Sequence, residues 1–358
     1  MANTKKKKVI IGMSGGVDSA VAAYMLKRDG FDVVGLFMHN WEEEGGCTSE
    51  DDWRDVERIC AALGIDCYSV NFAKEYADGV FDYFLNEYKA YRTPNPDVLC
   101  NRVVKFGVFR DYAITLGADY IATGHYCKAG VADGSPTLLR AADTDKDQTY
   151  FLNQVHETQL EKVLFPLSGL DKSEVRRLAE ENNLTTAKKK DSTGICFIGE
   201  RNFRKFLLSY LPAIPGKIFT LEGEYVGEHI GLMYYTIGQR RGLDLGGKRG
   251  EDGRWFVVKK DLENNILYVS HGDESPLYSK ACLVTNLNWI GYIPAQSFLC
   301  TAKFRYRQGE QKVKVTLSDN GALVEFDEPQ RAVTEGQYAV FYDEVACLGG
   351  GVIDEVIF

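Results

Sequence analysis

Residues 9–200 alternate between short apolar runs and longer amphipathic stretches. Val9 to Met13 reads as a buried strand, and Ala20 to Arg28 as a helix with Lys27 and Arg28 in its last turn and Gly30 as its stop. Phe31 to Met38 and Ile65 to Phe72 read as strands, with a helix over Ser49 to Leu63 between them, ended by Gly64. A helix over Tyr76 to Tyr91 stops at Thr93-Pro94-Asn95-Pro96. Asn101 to Leu116 is again helical and ends at Gly117, before the short strand Ala118 to Thr123. Asp171-Lys172-Ser173-Glu174 spells a capping box for a helix over Val175 to Asn182. This alternation predicts a parallel sheet covered by helices, with ligands at the carboxyl ends of the strands.

The pattern changes near residue 210. Pro212 and Pro215 end a helical run over Phe203 to Tyr210, and short alternating segments separated by glycine turns follow. Lys217 to Thr220, Tyr225 to Val226, Trp255 to Lys259 and Ile266 to Val269 read as strands of a small β-rich domain. Beyond Gly272 to Pro276 come Lys280 to Thr285, Phe298 to Tyr306, Lys312 to Leu317, Ala322 to Phe326 and Gln337 to Tyr342. So many strands in so short a stretch indicate a β-barrel or sandwich. The expected organisation is an α/β parallel-sheet nucleotide-binding domain over 1–210, a small central β-rich domain over 211–275 and a C-terminal β-barrel over 276–358.

Composition narrows the class. Nine cysteines are scattered without a C-x-x-C pair, which excludes a zinc ribbon or a thioredoxin-type motif and fits a reducing cytoplasm. No apolar run approaches a membrane span, and the basic start Lys5 to Lys8 lacks the apolar region of a signal peptide. The formal net charge of −9 argues mildly against a nucleic-acid partner unless a local basic patch meets it. Lys303, Arg305 and Arg307 alternate with Phe304 and Tyr306, so a strand there puts three cations on one face. Lys312 and Lys314 extend that face, and phosphate backbone is its natural partner; a solvated strand face fits the same pattern.

Ser14-Gly15-Gly16-Val17-Asp18-Ser19 joins a strand to a helix start, the geometry that presents bare N–H groups to phosphate. No lysine follows the glycines, so this is not a G-x-x-x-x-G-K-[ST] loop. The segment resembles the loop of enzymes that cleave ATP to AMP and pyrophosphate. Cys100 follows a loop stiffened by Pro94 and Pro96 and precedes a helix, where a helix N-terminus lowers a thiol pKa. Asp97 can orient or deprotonate a group beside it. An N-cap aspartate followed by a buried cysteine fits those residues equally well. Cys196 lies between the lysines Lys188 to Lys190, a polar turn and the apolar run Ile195 to Ile198, and it reads either as a shielded reactive thiol or as a core cysteine. His125 follows a strand end, where ligand contacts and structural histidines both occur. Lys146-Asp147-Gln148 by itself is a solvated turn.

These segments together resemble the bacterial tRNA-specific 2-thiouridylase family. The likeness spans nearly the whole chain: Gly12 to Ser19, Phe37 to Glu43, Thr93 to Asn101, Gly124 to Tyr126, Lys146 to Gln148, Asp191 to Gly199, Tyr234 to Arg240 and Cys347 to Ile353. His39 and Ala20 depart from the family pattern, where lysine and serine are more usual. The resemblance implies an adenine nucleotide α-hydrolase-like domain in which ATP, with Mg2+, sits on Gly12, Met13, Ser14, Gly15, Gly16, Val17, Asp18 and Ser19, with Met38 and Gly124 on the adenosine. It implies ATP-dependent 2-thiolation of the wobble uridine in the tRNA anticodon arm through adenylation of C2. Cys196 would carry a persulfide received from a sulfur-donor protein, and Cys100 would resolve the intermediate as a disulfide with Cys196. Asn95, Pro96 and Asp97 would hold the target base, with Asp97 as general acid/base. His125, Lys146, Asp147, Gln148, Arg305, Tyr306 and Gln337 would contact the tRNA. Two other readings fit less of the chain: an adenylating synthetase of the same ATP-pyrophosphatase class, and a non-catalytic, nucleotide-responsive RNA-binding module. Neither needs paired cysteines.

Overall fold

A computed structural model describes residues 6–41, 47–132, 134–190, 203–246, 253–292 and 295–358. The N-terminal part is built on a parallel sheet of β1 (Lys8–Met13), β2 (Asp32–His39), β3 (Asp66–Asn71), β4 (Tyr120–Ala122) and a short fifth strand at Val163–Leu164, in the order β3-β2-β1-β4 and then the fifth. Helix α1 (Val17–Arg28) follows β1, and α2 (Cys47–Leu63) crosses from β2 to β3. β1 is apolar on both faces: Ile10 packs into one core cluster, Val9, Ile11 and Met13 into another, because helices cover the sheet on both sides. Asp171 caps the helix Lys172–Glu181 with the reciprocal Glu174 bond, as the sequence predicts.

The helix expected over Tyr76 to Tyr91 is three contiguous pieces, Ala73–Tyr76, Ala77–Phe81 and Asp82–Lys89, the middle one wound as a π-helix. The helix expected from Asn101 begins earlier. It starts at Pro96, continues as a π-helical stretch over Cys100–Val108, and ends in Phe109–Thr115. Proline at the first helical position explains the early start, since its missing N–H would be unpaired there anyway.

The central domain is a four-stranded sheet of Trp255–Asp261, Ile266–His271, Gly216–Thr220 and Tyr225–His229, in that order. The C-terminal domain is a closed six-stranded barrel. Tyr278–Trp289, Gly321–Arg331, Gln311–Ser318, Ser297–Lys303, Tyr338–Tyr342 and Ala346–Ile357 pair in that order, and the last pairs back to the first. A hairpin from the N-terminal part, Lys128–Ala132 with Ser135–Leu139, adds to this barrel sheet through Ala346–Leu139 and Cys347–Leu138. The strand expected over Phe298 to Tyr306 ends at Lys303. Residues 304–308 turn away from the sheet, so Lys303, Arg305 and Arg307 do not share a strand face. No helix among the described residues is long and apolar enough to cross a membrane.

Candidate active site

The Ser14–Ser19 loop sits at the carboxyl end of the central strand β1. Gly15 has φ +70°, and a Cβ there would lie 2.7 Å from the Asp52 carbonyl oxygen, so both conformation and packing demand glycine. Gly16 is the residue that begins α1, with no side chain over the first N–H groups. Ser19 Oγ accepts from the Ser14 N–H at 3.2 Å and donates to the Gly16 carbonyl at 3.2 Å, which holds the loop closed. The side chains of Met13 and Val17 are buried in the core, so they offer a ligand only backbone. Gly124, after β4, abuts the start of α1: a Cβ there would lie 2.9 Å from the Ser19 nitrogen. A Cβ on Gly12 would lie 3.4 Å from the Met38 methyl, which places these two side by side. The residues read as a nucleotide site thus converge at one edge of the sheet.

Two lysines from far along the chain, which sequence reading missed, reach the loop. Lys172 Nζ bonds both Asp18 carboxylate oxygens, at 2.7 and 2.9 Å, and the Tyr126 hydroxyl donates to Asp18 at 2.8 Å. Lys189 Nζ donates to the Gly15 carbonyl at 3.1 Å and to Asp52 and Asp55 at 2.8 and 2.7 Å. Backbone N–H groups and a helix N-terminus face this corner, where the two ammonium groups are paired with the carboxylates of Asp18, Asp52 and Asp55.

Asn95 precedes the helix that Pro96 begins, and Asp97 and Cys100, three residues apart, lie on one side of it. Burial raises the Asp97 pKa above the ordinary carboxylate range, against the pull of Lys105. Cys100 is buried, and its N–H bonds carbonyls of the preceding turn. The expectation that Cys100 stands at a helix N-terminus is therefore corrected, and activation by the helix dipole does not apply to it. Cys196 lies outside the described residues.

Profile comparison matches residues 7–200 to the tRNA methyl transferase HUP domain, 204–271 to the tRNA methyl transferase PRC-barrel domain and 279–353 to the aminomethyltransferase beta-barrel domain. A tRNA-specific 2-thiouridylase MnmA of Alkaliphilus oremlandii (strain OhILAs) is 58% identical over 99% of this chain and 98% of its own. MnmA 1 of Geobacillus kaustophilus (strain HTA426) is 58% identical over 99% and 97%. The chain belongs to the tRNA-specific 2-thiouridylase family. Among solved structures, a 4-thiouridine synthetase in complex with RNA and bound ATP is 19% identical with a TM-score of 0.37, over 57% of this chain and 50% of that one. The NMN synthetase of Francisella tularensis is 17% identical with a TM-score of 0.35, over 57% and 73%.

The remaining residues that the family resemblance marks are largely tied into the protein's own frame. His125 Nδ1 lies 2.8 Å from Thr123 Oγ1, beside the rings of Phe106 and Phe165. Burial, helped by Lys105, drives its pKa well below the usual value, so it is a neutral ring and not a phosphate-binding cation. Asp147 is buried and accepts from the Ala141 N–H at 3.0 Å and the Thr149 N–H at 2.8 Å. Gln148 Oε1 accepts from the Tyr126 N–H at 3.0 Å. Lys146 stays partly exposed on the same turn. Asp147 and Gln148 therefore shape the turn that presents Lys146.

Arg305 donates from Nη2 to the carbonyls of Ala332 at 2.6 Å and Ile237 at 3.2 Å and to Thr334 Oγ1 at 2.9 Å. It joins the turn after the fourth barrel strand to the central domain, while Arg307 in the same turn is exposed. Tyr306 packs on Phe151 with ring centroids 4.4 Å apart. Lys312 and Lys314 are exposed, and Lys314 pairs with Glu325 at 3.3 Å. Removing the Arg305 guanidinium should cost roughly 2–3 kcal/mol through the acceptors it leaves behind. We expect Arg305→Ala to lower the melting temperature and Arg307→Ala to reduce the salt slope of tRNA affinity. A flat response of both variants in melting and salt titration would reject this division.

Proposed function

We propose that the protein thiolates C2 of the wobble uridine in tRNA by adenylation followed by sulfur transfer. That it is a tRNA-uridine 2-sulfurtransferase follows from family membership; the route and the residue roles are our reading. The observation that carries it is the corner where the glycine loop, Lys172 and Lys189 meet, built for a nucleotide's phosphates without the lysine of γ-phosphate enzymes.

ATP would lie on Gly12 to Ser19, with its adenosine against Met38 and Gly124. Magnesium favours one or two carboxylates plus substrate phosphates, and Asp18 fits that role. The uridine, turned out of its stack, would be held by Asn95, Pro96 and Asp97. Its C2 oxygen attacks the α-phosphorus and pyrophosphate leaves, while Asp97 takes the N3 proton. The terminal sulfur of a persulfide on Cys196 attacks C2 and expels AMP. Cys100 then attacks the Cys196 sulfur, which breaks the bond to the transferred atom and leaves it on C2 as thiocarbonyl sulfur. The Asp97 proton returns to N3, and a thiol reductant must reopen the Cys100–Cys196 disulfide. A persulfide-bearing protein is the sulfur donor, and the anticodon arm would meet the accessible cations Lys146 and Arg307, while His125, Asp147, Gln148, Arg305 and Gln337 hold the frame around them.

The products decide the reaction class. Incubation with ATP, tRNA and a persulfide source should release AMP and pyrophosphate, and stoichiometric ADP with orthophosphate would contradict the reading. The raised pKa of Asp97 adds a pH signature. A general base works ionised, so AMP release should fall as pH drops through that raised value. Asp97→Asn should slow AMP release by roughly 10²–10⁴-fold and abolish that limb of the profile.

A further inference from the structure

All three domains meet on Tyr91–Pro94, the four residues that lead into the Asn95–Asp97 turn. From the central domain, Lys260 Nζ donates to the Tyr91 carbonyl at 2.8 Å, and Thr236 Oγ1 lies 3.1 Å from Thr93 Oγ1. From the barrel, the Gln337 amide donates to the Thr93 carbonyl at 2.7 Å, and the Glu335 carbonyl accepts from the Thr93 N–H at 3.0 Å. Arg92 reaches the Asp354 carboxylate at 2.7 Å and the Ile353 carbonyl at 3.0 Å.

The strap these bonds hold is not relaxed. Tyr91 has φ +61°, a left-handed conformation that a bulky residue keeps only where its surroundings over-determine it. Lys260 gives its ammonium to that residue's carbonyl although burial disfavours the charge and lowers its pKa to about 8. Pro94 and Pro96 have fixed φ, so a displacement at Tyr91 passes stiffly to Asp97. The bonds from the central domain and from Gln337 and Glu335 go to backbone groups and one hydroxyl of the strap, with the Arg92 guanidinium as a further anchor, and this fixes its path directly.

We propose that Lys260 and Thr236 are positioning residues for the reaction, holding the Tyr91–Pro94 strap so that Asp97 and Cys100 meet the target base in register. The central domain then belongs to the catalytic machinery through its grip on this strap. The inference rests on the role given above to the Asn95–Asp97 turn.

The test is steady-state and single-turnover AMP release with full-length protein, ATP, tRNA, a persulfide source and a thiol reductant. Lys260→Met removes the donor and keeps the stem; Thr236→Val removes one bond with almost no change of shape. Each should lower kcat, Lys260→Met by roughly tenfold or more, with KM for ATP and tRNA within about twofold. Lys260→Arg, which can still donate, should recover most of the rate, and Lys259→Met on the exposed neighbour should match wild type. Should Lys260→Met not fold, Thr236→Val decides alone. Wild-type kcat in the folded variants, or a loss carried wholly by KM for tRNA, would overturn the proposal. A wild-type protein that forms no thiolated tRNA would instead remove the functional reading beneath it.

Discussion

Changing Cys196 to serine should abolish thiolation while leaving tRNA-dependent adenylation, read as a single turnover of pyrophosphate release, largely intact. The reason is order: the persulfide acts on C2 only after adenylation has made it an electrophile. Cys100→Ser should stop multiple turnover and leave at most one sulfur transfer per protein, because the adduct on Cys196 then has no thiol to resolve it. Cys100 is buried in an apolar cluster, so a melting curve of the serine variant separates the chemical loss from the cost of burying a hydroxyl. Rapid-quench assays of pyrophosphate and of thiolated nucleoside, run in parallel, separate the two steps. If Cys196→Ser loses pyrophosphate release as completely as thiolation, the order is wrong.

Asp18→Ala should lower AMP release by on the order of a hundredfold, since small displacements of bound reactants have effects of that size. Asp18 accepts from both Lys172 and Tyr126, so alanine frees the lysine that faces the phosphate loop and removes the carboxylate best placed for the metal. The substitution lies in the first turn of α1, where alanine is a good helix former, so the fold should survive. Circular dichroism and a melting curve check that point, while ATP titration should show weakened binding. Unchanged AMP release would remove Asp18 from the site.

How much of this was legible from sequence depends on whether a feature is local. The glycine loop, the capping box at Asp171 and the strand–helix alternation are written in neighbouring residues and their periods, and they reappear in the structure. Lys172 and Lys189 are 154 and 174 residues from the atoms they bond, so no local pattern could point to them. The last barrel strand, Ala346–Ile357, was missed as a strand because it carries Gly349-Gly350-Gly351. A Cβ on Gly349 would lie 2.0 Å from the Asn288 carbonyl oxygen, so close strand approach there overrides propensity. Arg305 illustrates the opposite failure. Its alternation with Phe304 and Tyr306 mimics a strand, but the chain turns after Lys303 and takes the guanidinium inward. The 203–210 helix and the short central strands were legible in outline, while the bond from Lys260 to the Tyr91–Pro94 strap is purely tertiary.

The most direct test of the central claim is mass spectrometry of nucleosides from tRNA incubated with the protein, ATP, Mg2+ and a persulfide source. The account predicts that uridine at the wobble position gains sulfur in place of oxygen, only with ATP present, and that a Cys100→Ser/Cys196→Ser protein forms none. Unmodified nucleosides from the wild-type reaction, or a double-serine protein that thiolates at the wild-type rate, would contradict it.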